Sequence, residues 1–306
     1  MENELMTVET FDISVVEAQD RALIDKQIAT AKQYPRNIQR AKANIVAIAA
    51  MDEDTAKSCG YSLPRGGKNI SGPSVHLARI IIQQYGNVRV DSKVVEEGAT
   101  SITAQSTCID LENNVGIRVE VKRKITDKYG KRYNDDMIIM TGNAAAAIAL
   151  RNAVYNVVPK PLIDAGYKAA QEKIVGKISN ETDLLTKRKK LLDGFQAEYG
   201  VDEKAVLKAM GLRESTQIKV PELKILIGLW QAIKDGETTV DETFYPEKSK
   251  ENGAANDTGV TLDELKTLFD FKKGVLTKEE CDNAQRVIDN KEVASYQKLF
   301  KLLNSK

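Results

Sequence analysis

The chain has 306 residues, 45 Lys and Arg against 44 Asp and Glu, a net charge of +1 and 6% aromatics. That is enough chain to bury a large core in one to three domains, with the composition of an ordinary globular protein. Residues 1–54 hold 6 bases and 10 acids, 55–170 hold 16 and 10, and 181–306 hold 21 and 23, so a basic middle lies between neutral or acidic flanks. This excludes a uniformly cationic protein and argues for a local anionic ligand.

In chain order, "SVVEAQDRALIDKQIATAKQY" and "NIQRAKANIVAIAAM" carry apolar residues at helical spacing and are separated by Pro35. Arg36 and Arg40 stand four apart on what reads as a solvated face. "CGYSLPRGGKNISGPS" has four glycines and two prolines and reads as a loop, with Ser71 or Ser74 capping the next helix, "VHLARIIIQQYG". Three strand patterns follow, "NVRVDSKVVEEG", "TSITAQSTCIDLENN" and "VGIRVEVKRKITDKYGKRYNDDMIIMT". Glu96–Gly98 and Glu112–Asn114 are their turns, and Lys128–Lys131 is a hairpin tip. "IIMTGNAAAAIALRNAVYNVVPK" starts like a buried strand and continues as a small-residue helix ending before Pro159. The fold class predicted is α+β: an antiparallel sheet with a helix across it, N-terminal helices, and C-terminal all-helical modules.

After about residue 180, helices ended by glycines and begun at Asp202 or Pro221 take over. The expected division is a core over 1–180, a helical module over 181–246, a flexible linker over 247–260 and a small helical unit over 261–306. Thr261 with Glu264 and Thr277 with Glu280 form capping boxes in that last unit.

Cys59, Cys108 and Cys281 are widely spaced and form no CxxC pair, which argues against a disulfide framework or thiolate metal site and for a reducing, cytoplasmic compartment. The one histidine, His76, sits between Val75 and Leu77 as an ordinary helix residue, and several-histidine zinc sites are excluded. No apolar stretch approaches the ~18 residues of a membrane span and no signal peptide is visible, so no membrane is expected.

Three motifs invite chemistry. "PRGGK" is not GxxxxGK[ST], but its glycines with Arg65, Lys68 and a following helix N-terminus suit a phosphate of any origin. In "RVEVKRKITDKYGKR", strand alternation sends Ile117, Val119, Val121 and Arg123 one way and Arg118, Glu120, Lys122 and Lys124 the other. With Lys128, Lys131 and Arg132 at the tip, the second set makes a positive stripe, either a lysine-guarded edge or a track for a phosphodiester backbone. Asp110 with Glu120 and Lys122 fits the loose D…ExK spacing of metal-dependent nucleases, where two carboxylates hold Mg²⁺. Arg151 stands in an otherwise uncharged run, with Asp136 and Asp164 the nearest carboxylates in sequence.

The order of elements, the hairpin "KRKITDKYGKRYND" and the segment "MIIMTGNAAAAIALRNAVYNVV" resemble the annealing core shared by the eukaryotic Rad-fifty-two protein and the phage RecT and Redβ recombination proteins. The resemblance covers about residues 60–165. It implies a β-β-β-α core that forms rings or filaments, needs no nucleotide, cofactor or metal, carries no catalytic residue, and anneals single-stranded DNA in recombination. It further implies that Arg151 occupies the first of two basic positions lining the DNA groove, with Asn152 departing at the second, and that the helices after the core favour the phage type. The expected interface is thus Arg65, Lys68, Arg118, Lys122, Lys124, Lys128, Lys131, Arg132 and Arg151. Expected partners are single-stranded DNA, further copies of the chain, and a single-strand-binding protein or exonuclease at 261–306. The competing classes are the D…ExK nuclease and a structural or scaffolding protein with a basic face.

Overall fold

The computed structural model describes residues 2–65, 68–127, 129–176 and 181–245, and within the C-terminal stretch 265–266, 268–269, 272–273, 278–289, 299–300 and 302–303. Helix α1 (Glu2–Gln33) ends just before Pro35 and α2 (Ile38–Ala49) begins after it, with Asn37 accepting a hydrogen bond from the Arg40 amide. A proline cannot continue a helix, so the break falls where the sequence puts it. Helix α3 (Glu53–Ser58) is capped by Asp52, which accepts from Thr55.

The glycine-rich stretch after α3 is a β-hairpin, not the loop expected from its composition. Strand β1 (Gly60–Arg65) pairs antiparallel with β2 (Lys68–Pro73), from Gly60 opposite Pro73 to Arg65 opposite Lys68. Gly66 and Gly67 lie outside the described residues. Ser74, and not Ser71, caps α4 (Val75–Tyr85) by accepting from the His76 and Leu77 amides, while Pro73 stays in the strand.

The strand triplet forms as read. Strands β3 (Val88–Glu97), β4 (Ser101–Asp110) and β5 (Val115–Lys124) make an antiparallel meander, with a bulge between Val94 and Glu96. The second turn falls at the expected residues, with Asn114 at a positive φ of 56°, whereas the first falls at 98–100 because Glu96 and Glu97 stay paired in β3. Ile102, Ala104, Ser106, Cys108 and Asp110 are buried on one face of β4. Helix α5 (Asp135–Val157) lies across that face, where Gly142 lets Ile102 and Val94 approach and Ser92 Oγ donates to the Ala146 carbonyl.

Residues 138–140, expected to be strand, are helical, because α5 starts earlier. Asn134 caps it through the Met137 amide, and Asp135 and Asp136 favour its positive N-terminal end. A short apolar run has no periodicity of its own, and the Asn-Asp-Asp start signal decides. By length and composition α5 could cross a membrane, contrary to expectation, but Ala145, Ala149, Ala153 and Val154 are fully buried in the protein.

Helices α6 (Lys160–Val175), α7 (Glu181–Tyr199), α8 (Glu203–Met210), α9 (Val220–Lys234) and α10 (Val240–Phe244) complete this body. Gly200, Gly211 and Gly236 end α7, α8 and the α9 region with φ of 66°, 67° and 70°. One hydrophobic cluster runs from Ile45 through Leu77, Cys108, Val154 and Ile174 to Phe195, Leu226 and Phe244. The segment 181–246, expected as a module of its own, shares that core. Gly228 of α9 sits so close to β1 that a Cβ there would lie 2.8 Å from the Ser62 nitrogen. In the C-terminal stretch, α11 (Lys278–Asp289) contributes Ala284, Val287 and Ile288 to a separate cluster with Leu265, Phe269, Leu299 and Leu303. The linker, Thr261, Glu264 and Thr277 lie outside the described residues, while Glu280 is in the first turn of α11. The architecture is mixed α+β with two small antiparallel sheets.

Candidate nucleic-acid interface

Arg151 has a partner in its own chain. Its Nη1 donates to both carboxylate oxygens of Glu237, at 2.6 and 2.8 Å, and its guanidinium lies 4.3 Å from the centre of the Tyr61 ring. The two side chains are 8% and 2% exposed. This overturns the expectation that Arg151 awaits an external phosphate: it is satisfied and covered, and it leaves the interface. The Glu237 carbonyl also accepts from Arg123 Nη1 at 3.3 Å, so one residue between α9 and α10 holds both β5 and α5.

The basic row on β5 behaves as alternation requires. Arg118, Lys122 and Lys124 are exposed, while Ile117, Val119, Val121 and Arg123 are half-buried. The register places Arg118 opposite Thr107, Lys122 opposite Thr103 and Lys124 opposite Ser101. Glu120, the one acid of this row, accepts from Gln105 at 2.9 Å. Arg118, Lys122 and Lys124 have no ion-pair partner among the described residues. Lys93 of β3, opposite Gln105, adds a cation to the same face. Sequence reasoning missed Lys93, and its signal was the register, since an antiparallel meander brings every second residue of three strands to one surface.

The tip is ordered by Asp127, whose Oδ1 accepts from the Tyr129 and Lys131 amides at 2.8 and 2.9 Å, with Gly130 at φ 80°. Lys131 is exposed there. Arg132, expected in the interface, instead braces the β3–β4 turn, donating to the Gly98 and Ala99 carbonyls at 2.6 and 3.1 Å and pairing with Glu97. Lys128 lies outside the described residues. Arg65 and Lys68 close the β1–β2 ladder, and that hairpin packs on α9 as part of a different sheet from β3–β4–β5.

The D…ExK constellation is not assembled. Asp110 is buried at the end of β4, whereas Glu120 is opposite Gln105 on the other face. Five residues of strand separate the two levels, roughly 17 Å at 3.3–3.4 Å per residue. Asp110 accepts from Arg36 Nη1 at 2.8 Å, Arg36 Nη2 at 2.5 Å and Asn113 Nδ2 at 2.8 Å, and Arg36 Nε donates to Glu112 at 3.0 Å. Arg36, expected on a solvated face, is thus a buried tie between the α1–α2 junction and the sheet, stacked 3.8 Å over Tyr85. Burial pushes the Asp110 and Glu112 carboxyls up. The hydrogen bonds from Arg36 and Asn113 to Asp110, and from Asn87 and the Arg36 amide to Glu112, outweigh it, and both end below their ordinary values.

His76, read as an ordinary helix residue, meets Asp235 Oδ1 at 3.0 Å and Gln231 at 3.2 Å, linking α4 to the end of α9. Comparison with family models, curated proteins and solved structures finds no match for this chain.

Proposed function

We propose that the chain binds single-stranded nucleic acid on the open face of the β3–β4–β5 sheet and pairs complementary strands without nucleotide or metal, acting as an oligomer of many copies. The observation that carries this reading is the exposed row Arg118, Lys122 and Lys124, whose charges have no carboxylate partner among the described residues. A polyanion on such a row gains from counterion release at each neutralised phosphate. Lys93 beside the row and Lys131 beyond it extend the track.

The element order also supports it: a helix, a three-stranded meander and a long helix across the sheet follow one another as the resemblance to annealing proteins implies. The grip is on the backbone, because the row holds cations and small polar neighbours rather than aromatic platforms, and the bases are left outward to test a second strand. One such face binds weakly, and an array of faces on one strand adds avidity. The C-terminal unit around α11 is assigned to partner docking in the same scheme.

The test is an annealing time course with complementary oligonucleotides in EDTA without nucleotide, paired with negative-stain images. Accelerated annealing by assemblies, lost in the Arg118→Glu, Lys122→Glu, Lys124→Glu variant, is expected. Equal binding to heparin with no annealing would make the chain a scaffold with a basic face, and Mg²⁺-dependent strand cleavage would make it a nuclease.

A further inference from the structure

We propose that a second site, between the β1–β2 hairpin, α6 and α9, binds a small organic phosphate with a planar body, of the size of one nucleotide. A cavity of about 270 Å³ opens there, lined by Lys57 from α3, Tyr61 and Ser71 from the hairpin, Tyr167 and Gln171 from α6, and Lys224 from α9, over an isoleucine floor. No acid lines it. Each of its polar side chains can donate a hydrogen bond, and its walls include two flat rings.

Lys224 and Gln171 are half-buried and make no hydrogen bond or ion pair to another described residue. An ammonium that faces no carboxylate is free to make a charge-assisted contact with a bound anion. Lys57 supplies a second ammonium, shared with Glu53 at 3.0 Å and Asp54 at 3.6 Å. Two cations suit a doubly charged phosphomonoester better than a carboxylate. The Tyr61 ring is held by the Arg151 guanidinium. Tyr167 is a protonated donor at neutral pH, and burial raises its hydroxyl further above the ordinary value.

Gly60 preserves the space, since a Cβ there would come within 3.2 Å of both Gln171 Nε2 and the Tyr167 ring. The volume lies below the roughly 300–1,000 Å³ of drug-sized pockets, which fits one nucleotide and not a strand passing through. The nucleotide has two possible sources, free in solution or at the phosphorylated end of a strand. The site does not depend on the sheet-face reading, because free nucleotide tests it directly.

The experiment is calorimetric titration of the full chain with dTMP, AMP and thymidine, followed by competition with 5′-phosphorylated and 5′-hydroxyl oligonucleotides. Saturable binding of dTMP or AMP is expected, with thymidine weaker by about tenfold or more, the weight of a charge-assisted contact. Lys224→Ala and Gln171→Ala should each weaken dTMP binding and leave the thermal melt in place. Displacement by the 5′-phosphorylated oligonucleotide alone assigns the site to strand ends; displacement by neither assigns it to free nucleotide. Displacement by both oligonucleotides alike, thymidine binding as well as dTMP, no saturable binding of either nucleotide, or binding that survives both substitutions would overturn the proposal.

Discussion

Arg151 and Glu237 stand 86 residues apart in the chain and face each other through two short hydrogen bonds in the protein interior. Removing one member of such a pair strands the other as a buried charge, which costs about 3–5 kcal/mol. Arg151→Leu should lose that much in urea denaturation, and the Arg151→Leu, Glu237→Leu double variant less than the two single losses combined. Arg151→Lys keeps the charge but loses the planar fork and the stacking on Tyr61, so it should fall between. A normal denaturation curve with impaired strand binding would return Arg151 to the interface.

Acid should loosen the tie between the α1–α2 junction and the sheet. Asp110 and Glu112 titrate lower in the folded chain than in the unfolded one. The unfolded chain therefore binds more protons in that window. The stabilisation is full above the unfolded values, roughly 4, and is lost as pH falls through the folded ones. Urea midpoints measured against pH should drop there, and Asp110→Asn should be less stable at neutral pH with a flatter acid limb. Parallel curves for the two proteins would dismiss the tie.

If the β5 row meets phosphates, salt reports it. Log affinity should fall linearly with log salt, and the slope should shrink by about 0.7 for each contact removed among Arg118, Lys122 and Lys124. Because these side chains are exposed, the melting temperature should stay put. An unchanged slope would move the binding surface elsewhere.

Gly228→Ala is a probe of how α9 meets β1. Alanine gains about 1 kcal/mol in helix propensity, yet its Cβ would lie 2.8 Å from backbone, where overpacking costs about 1–3 kcal/mol. Net destabilisation in urea is expected; a stabilised variant would mean that the two elements part easily.

The thiols should separate by reactivity. Cys59 and Cys108 are buried and their pKa values are pushed up to about 12, chiefly by burial, whereas Cys281 is partly exposed. An alkylating reagent at neutral pH should label Cys281 first and the other two only in denaturant, as read by mass spectrometry.

The meander was legible because its two turns and period-2 strands are local signals, and the same alternation told Arg118, Lys122 and Lys124 from Arg123. The β1–β2 hairpin was not, since Gly66, Gly67, Pro64 and Pro73 read as loop chemistry while the pairing that overrides them lies across the turn. Arg36 and Arg151 show the deeper limit. Each looked solvent- or ligand-facing only because its carboxylate comes from another part of the chain, Asp110 from 74 residues on and Glu237 from 86. Spacing along a sequence carries no information about partners of that kind.

The lateness of Glu237 also bears on how the chain is made. At a synthesis rate of about 5–20 residues per second, on the order of ten seconds pass between the appearance of Arg151 and that of Glu237. Until then the Arg151 guanidinium has no Glu237 carboxylate to meet, and for most of that time β1 has no α9 to pack on. The Arg151–Glu237 pair therefore waits for the ribosome to deliver the α9–α10 turn, and a transcript cut short before it would leave a product in which that guanidinium has lost its carboxylate.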